Sequence, residues 1–332
     1  MAHPVQIRMK AISRSTKSPS GRVVVFGSLN ADLIMSVQRL PQAGETLPGG
    51  DLSIVPGGKG ANQACAAALM GSNAGMYGAV GSDVFGILLR ENLNRNQVNT
   101  DHVAAIEGPT GIACITVLPD GNNSILLSPG ANGKLTPAWV QQHLTLEKDD
   151  LLLLQLEVPM DAIDEALQIA KIAGATVILD PAPARELPHH WYPLIGYLTP
   201  NQTEAQTLLG LDTPPSEAEE IVQATKKLLH LGTKHVLLKC GEQGVLAGSA
   251  DGLYPVEAMK VAAVDTTAAG DTLNGAFAAG LAEGLTELEA LQMAVVAAGI
   301  SVTRHGAQTS IPARIEVNTI LEKDRPRNSI CS

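Results

Sequence analysis

From position 21 onward, short runs of β-branched and leucine residues recur along the chain, and between them lie helix-length stretches with apolar residues three and four apart. Apolar runs without alternation read as strands covered on both faces, and their interleaving with amphipathic stretches predicts parallel βαβ units. The predicted strands are 23–26, 76–80, 151–156, 175–179, 195–198 and 235–238, and the predicted helices cover about 60–70, 83–96, 160–173, 202–209 and 216–231. Two stretches break this rhythm. Residues 33–56 and 111–128 read as alternating strands between Gly, Pro and Asn turns, and Asp120-Gly121-Asn122 between two apolar runs is a hairpin signal. Both leave the carboxyl side of the sheet, so they are expected to pair into a small β-lid over the edge where α/β sheets bind ligands. The expected fold is a three-layer α/β/α sandwich with a mainly parallel central sheet and a β-sheet lid, spanning residues 22–323.

Composition narrows the class. The chain has 332 residues, 45% of them apolar, which is enough to bury a core and excludes disordered and small disulfide-scaffold classes. Its net charge of −10 and 3% aromatic content give neither the attraction nor the stacking platform that nucleic acid requires, so no nucleic-acid partner is expected. No apolar run approaches the roughly 20 residues of a membrane span, and no apolar leader is seen at the N-terminus, so no membrane partner is expected either. Cys65, Cys114, Cys240 and Cys331 lie far apart without a C-x-x-C pair, as for reduced thiols in a cytoplasmic protein. Residues 1–22 carry Arg8, Lys10, Arg14, Lys17 and Arg22 with no acid. They read as a disordered basic tail over 1–21, with a plastid or other organelle transit peptide as the alternative. Residues 324–332 read as a second tail.

Two segments carry the strongest chemical signals. Residues 264–276, Val-Asp-Thr-Thr-Ala-Ala-Gly-Asp-Thr-Leu-Asn-Gly-Ala, place small residues before a helix, which leaves first-turn N–H groups bare for an anion. Asp271 beside that site would repel a phosphate unless it accepts a proton from a nucleophilic hydroxyl near a transferring phosphoryl group; a plain helix cap is the alternative. Residues 57–63, Gly-Gly-Lys-Gly-Ala-Asn-Gln, fail the Walker pattern, because Lys59 is followed by Gly and the spacing of the glycines is wrong. What remains is a glycine turn with an ammonium and an amide, suited to a polyhydroxylated ligand or simply a glycine-rich helix start. Asn30, Asp32, Glu157, Asp180, Asn201 and Glu204 all fall where apolar strands end, on one edge of a parallel sheet. Each alone reads as a loop cap, whereas together they suit a sugar or Mg-nucleotide site. The single glycine of Gly27-Ser28-Leu29-Asn30 argues against a dinucleotide fingerprint.

In order and spacing, residues 27–32, 57–63, 180–185, Asn201-x-x-Glu204 and 268–271 resemble the phosphofructokinase B family of sugar kinases, and within it the ribokinase-like members, over about 23–312. The resemblance implies ATP-dependent phosphorylation of D-ribose at its 5-hydroxyl, with Asp271 as general base and the amides of Ala268, Ala269 and Gly270 as anion hole. It implies a sugar site drawn from Asn30, Ala31, Asp32, Gly58, Lys59, Gly60, Ala61, Asn62 and Glu157. For the nucleotide it implies Asn201 and Glu204 around Mg-ATP, with Lys239, Cys240, Gly241, Glu242, Gln243 and Gly244 in the nucleotide loop. It also implies a monovalent cation activator, usually potassium, near Asp265, Thr267, Ser301, Arg304, Gly306 and Ser310. A homodimer through the lid is expected, because pairing covers exposed strand edges.

The chain departs from that pattern at four places. Lys239 stands where relatives often carry Thr, Asp180 where Asn is frequent, Gln202 where Glu is frequent, and Val295 where Asn or His contacts adenine. Kinases of deoxyribose or fructose, a silent kinase-like scaffold and a sugar-binding module without chemistry are the alternatives.

Overall fold

The structure, a computed structural model, describes residues 21–323. The two predicted tails lie outside the described residues, apart from Gly21. In chain order the elements open with β1 (Val23–Phe26), β2 (Asn30–Ser36), β3 (Ser53–Gly57), α1 (Lys59–Leu69), β4 (Ala74–Gly81), α2 (Val84–Arg95) and β5 (Asn99–Ile106). They continue with β6 (Gly111–Val117), β7 (Asn123–Ser128), α3 (Pro137–His143), β8 (Leu151–Leu154), α4 (Met160–Ala173), β9 (Thr176–Leu179), β10 (Tyr197–Leu198) and α5 (Gln202–Leu209). The last third holds α6 (Ala218–His230), β11 (His235–Lys239), β12 (Val245–Ser249), β13 (Gly252–Val256), α7 (Ala269–Ala282), α8 (Glu287–Ser301) and α9 (Arg314–Lys323).

Nine strands form one sheet in the order β13-β12-β11-β10-β9-β8-β1-β4-β5, with every neighbouring pair parallel except β11–β12 and β12–β13, which are antiparallel. Alternate residues of the inner strands feed two separate cores. Val23, Val25, Leu151 and Leu153 face α1, α7 and α8, while Val24, Phe26, Leu152 and Leu154 face α3, α4 and α6. This is the three-layer sandwich read from the sequence, and it explains why those strands are apolar at every position.

From β1 the chain turns one way to β4 and β5; from β8 it turns the other way to β9, β10 and β11. The β1/β8 junction is therefore the topological switch point, where the connections diverge and leave a crevice at the carboxyl ends of the strands. The predicted lid forms as a second sheet, β3-β2-β6-β7. Its β6–β7 hairpin closes through Asp120, whose Oδ1 accepts the Asn122 N–H at 3.0 Å. β2 begins three residues earlier than predicted, at Asn30 rather than 33, because residues 30–34 pair at once with Ser53–Gly57. Asn30 and Asp32 are thus carried on the small sheet itself.

The elements that the pattern missed have physical causes. α8 is buried over most of its circumference, so its sequence shows no polar stripe; β5 is an edge strand with polar positions, and β13 an edge strand interrupted by Gly252 and Pro255. α1 and α7 cross at a close approach through Gly275, whose added Cβ would stand 2.4 Å from the Gln63 carbonyl oxygen and 2.6 Å from the Ala66 Cβ. Gly275→Val is expected to force the two helices apart and lower the unfolding free energy by about 3 kcal/mol, read by urea denaturation.

No helix among the described residues is long and apolar enough to cross a membrane.

Candidate active site

The crevice is built by two helix N-termini brought to one sheet edge. α1 starts at Lys59 behind Gly58, whose φ of +89° suits glycine, and α7 starts behind Ala268, which holds the left-handed conformation at φ +58° without being glycine. Such strain in a residue with a Cβ costs on the order of 1 kcal/mol and turns the preceding loop sharply into α7. The N–H groups of Ala268, Gly270 and Asp271 have no acceptor among the described residues, as an anion site requires. Ala269 departs from the expected anion hole: its N–H closes a turn onto the Thr266 carbonyl at 3.2 Å.

Asp271 is no helix cap. Its side chain is buried and each carboxylate oxygen accepts an amide from α1: Asn62 Nδ2 donates to Oδ2 at 3.0 Å and Gln63 Nε2 to Oδ1 at 2.9 Å. Burial raises its carboxyl above the usual range, against the opposing effects of Lys59 and the two amides. A carboxylate oriented on both oxygens and made more basic by desolvation is what general-base work at neutral pH needs.

The sugar-side candidates gather where β1 and β8 end. Glu157 Oε2 accepts from Ser28 Oγ at 2.6 Å, Asn30 Nδ2 at 3.3 Å and the Lys59 N–H at 3.3 Å. Asn132 Nδ2 donates to Asn30 Oδ1 at 2.8 Å. A cavity of about 290 Å³ between the two sheets is lined by Asn30, Leu127, Asn132, Glu157 and Arg185. A larger one, about 480 Å³, lies at the opposite, amino edge of the sheet around Arg22 and Asp150, far from Asp271 and the free N–H groups. Burial lowers the Lys59 ammonium, but the carboxylates of Asp271, Asp180, Glu157 and Glu204 outweigh it and hold the group above its ordinary value. Gly58 and Gly60 let the loop approach Ser28 and Leu29, whereas Ala31 and Ala61 present no free polar group: Ala31 lies within β2 between two strands, and the Ala61 N–H is taken by the Ser28 carbonyl at 3.0 Å.

On the other flank, Asn201 and Glu204 form a reciprocal capping box at the start of α5. Burial, strengthened by Asp180 and opposed by Lys239, raises the Glu204 carboxyl. Lys239 Nζ donates to Asp180 Oδ1 at 2.9 Å and lies 4.0 Å from Glu204 Oε2. Residues 240–244 are the tight connection from β11 to β12, with the Cys240 N–H donating to the Gly244 carbonyl at 2.8 Å. Burial pushes the Cys240 thiol up to about 11, so it is a packing group, and Gly241, Glu242 and Gln243 are exposed.

A family model described as pfkB family carbohydrate kinase matches residues 20–314. The chain belongs to this family. It is 42% identical over 306 residues to a ribokinase of Schizosaccharomyces pombe, covering 89% of this chain and 96% of that one. It is 36% identical over 302 residues to a deoxyribokinase of Salmonella typhi, covering 90% and 98%. The solved structure of Arabidopsis thaliana ribokinase complexed with ribose and ATP superposes with a TM-score of 0.82 at 34% identity, covering 91% of this chain and 99% of that one.

For a carbohydrate kinase, the residues named for a monovalent cation divide in two. Asp265 Oδ1 accepts the Thr267 N–H at 2.8 Å and its Oδ2 the Gly306 N–H at 2.9 Å, which ties the loop before α7 to the C-terminal loop. Hydrogen bonds from Thr267 and Gly306 outweigh burial and lower the Asp265 carboxyl. The Ser301 and Ser310 hydroxyls donate to the carbonyls of Ala298 and Ala307 and keep oxygen lone pairs, whereas the Arg304 guanidinium pairs with Glu316 and could contribute only through its main chain.

Ser28 and Gln63 lie inside the motifs without a signal of their own, and nothing in the sequence pattern marks Asn132, Gln155 or Gln308. Gln308 Nε2 donates to Asn62 Oδ1 at 3.1 Å and so fixes the amide that donates to Asp271.

Asp32 carries the pH signal of the sugar side. Burial, reinforced by Glu157 and Asp271 and opposed by Lys59, pushes its carboxyl up to about 7. Below that pH the group is protonated and poorer as a hydrogen-bond acceptor; above it the carboxylate accepts freely. The KM for the sugar is therefore expected to fall as pH rises through about 7, and Asp32→Asn is expected to raise KM and remove that dependence in a pH series.

Proposed function

We propose that this chain transfers the γ-phosphoryl group of ATP to the 5-hydroxyl of D-ribose, giving D-ribose 5-phosphate and ADP. The observation that carries this reading is the pairing of an oriented, desolvated carboxylate, Asp271, with the free N–H groups at the start of its own helix. Asp271 takes the hydroxyl proton, the hydroxyl oxygen bonds to the γ-phosphorus, and the bond to the ADP oxygen breaks. The N–H groups of Ala268 and Gly270 stabilise the charge that grows on the transferring group. Asn30, Asp32, Lys59, Asn62 and Glu157 hold the sugar hydroxyls, and the similarity to ribose-bound Arabidopsis ribokinase supports that assignment. Residues 22–323 act as one catalytic unit, with the small sheet as a lid that excludes water from the γ-phosphate.

The oxygen donors of Asn201 and Glu204 at the start of α5 suit magnesium that keeps part of its water shell. Bound with ATP, magnesium neutralises phosphate charge. The joined loops of Asp265, Thr267 and Gly306, with carbonyls from 301–310, suit potassium: they offer oxygen donors, and their one guanidinium, Arg304, is paired elsewhere. A homodimer through the lid covers the exposed Leu52, Ile54, Ile125, Leu126 and Leu127. The unpaired thiols of Cys65, Cys114 and Cys240 accord with a cytoplasmic place of action.

The similarity to a deoxyribokinase favours a second reading, 2-deoxy-D-ribose. Relative kcat/KM for D-ribose, 2-deoxy-D-ribose and D-fructose tests the choice, with magnesium and with potassium or sodium. Preference for ribose and a higher rate in potassium are expected; preference for either other sugar overturns the substrate assignment.

A further inference from the structure

The Asp180–Lys239 pair is joined to the base. Asp180 lies just after β9 with its side chain 3% exposed, and its Oδ1 accepts from Lys239 Nζ at 2.9 Å. Its other oxygen, Oδ2, accepts from Gln63 Nε2 at 3.1 Å. The same Gln63 nitrogen donates to Asp271 Oδ1 at 2.9 Å, and the Gln63 side-chain oxygen Oε1 accepts from Gln155 Nε2 at 2.7 Å. Two carboxylates can only accept, so the nitrogen of Gln63 must face them, and Gln155 locks that orientation from the far side. Lys239, at the other end, stands beside the anion hole: a Cβ on Gly270 would lie 3.3 Å from its Nζ.

We propose that Gln63 and Asp180 are positioning residues that hold the Asp271 carboxylate and the Lys239 ammonium in one fixed array flanking the anion hole, so that base and phosphate-side cation are set relative to each other before either substrate binds. The inference rests on Asp271 being the base. Lys239 then meets the nucleotide phosphates from the hole's open side, while Asp180 keeps this buried cation paired until they arrive. The charged groups facing Asp271 are Lys59 from α1, Asp32 from β2 and Asp180 from the end of β9, with Glu157, Glu204 and Lys239 beyond them.

The two positioning residues act on the base with opposite sign. Gln63 donates to the ionised carboxylate, whereas Asp180 repels it. The test is the pH profile of kcat, with KM for ribose and for ATP and the Tm, in Gln63→Leu, Asp180→Asn and Asp271→Asn. Gln63→Leu is expected to move the acid limb to higher pH and lower kcat about tenfold, with KM for ribose little changed. Asp180→Asn is expected to move the acid limb to lower pH. A merely structural loss lowers kcat and Tm without moving the two limbs in opposite directions. Limbs that stay in place or move together overturn the proposal.

If Asp180→Asn alone does not fold because Lys239 is left buried and unpaired, Asp180→Asn/Lys239→Met removes both charges. That double variant is expected to raise KM for ATP about tenfold and leave KM for ribose unchanged; an unchanged KM for ATP overturns the role of Lys239. Asp271→Asn separates the two levels of the account: if it turns over like wild type, the base assignment fails, and if it alone is impaired, only the array fails.

Discussion

Replacing Asp271 by Asn is expected to lower ribose-dependent ADP formation by about 10³-fold, with KM for ribose changed far less. The substitution keeps the volume and the start of α7, but the amide cannot take the hydroxyl proton. One of the two amide donors, Asn62 or Gln63, then faces an NH₂ group instead of a carboxylate oxygen. The anion-hole N–H groups are main-chain atoms and survive, so residual turnover above the uncatalysed rate remains. Initial rates of ADP release at saturating ribose measure the effect; a loss below tenfold contradicts the assignment of Asp271 as base.

Lys59→Met is expected to have the second largest effect, because Lys59 interacts with several carboxylates at once. Its ammonium faces Asp271, Asp180, Glu157 and Glu204, and it holds down the carboxyls of both Asp271 and Asp32. Without it those two carboxyls hold their protons to higher pH, so kcat/KM for ribose at pH 7 is expected to fall about 10²-fold and to recover in part as pH is raised. Stability follows a definite sign. The folded-state pKa of Lys59 lies above its unfolded value, so its contribution is fully present below the unfolded value of 10.5 and is lost as pH rises through the folded one. Thermal melts at pH 7 are thus expected to show a lower Tm in Lys59→Met, with the difference narrowing at strongly alkaline pH.

The fold was legible wherever burial leaves a periodic trace. The apolar runs at 23–26 and 235–238 are strands because both faces are covered, and the helices at 160–173 and 202–209 end where predicted. α8 escaped notice because it is surrounded by other elements and shows no polar face. In the site, the segments around Asn30, Lys59 and Asp271 announced themselves through glycine turns and edge polar residues, and the switch point between β1 and β8 is what brings them together. Their supports were not legible. Asn132 reaches Leu29 across 103 positions, Gln308 reaches Asn62 across 246, and Lys239 meets Asp180 across 59. Such partnerships depend on sheet order, which no local pattern encodes. Asp180 and Lys239 are separate departures in the sequence and one ion pair in the structure.

The most direct test is phosphorus NMR of the full chain with Mg-ATP in potassium buffer, with and without D-ribose. The account predicts a sugar phosphomonoester signal that grows in step with ADP only when ribose is present, with little inorganic phosphate. ATP left intact beside ribose, or hydrolysed to inorganic phosphate at the same rate without it, would contradict the central claim of phosphoryl transfer to ribose.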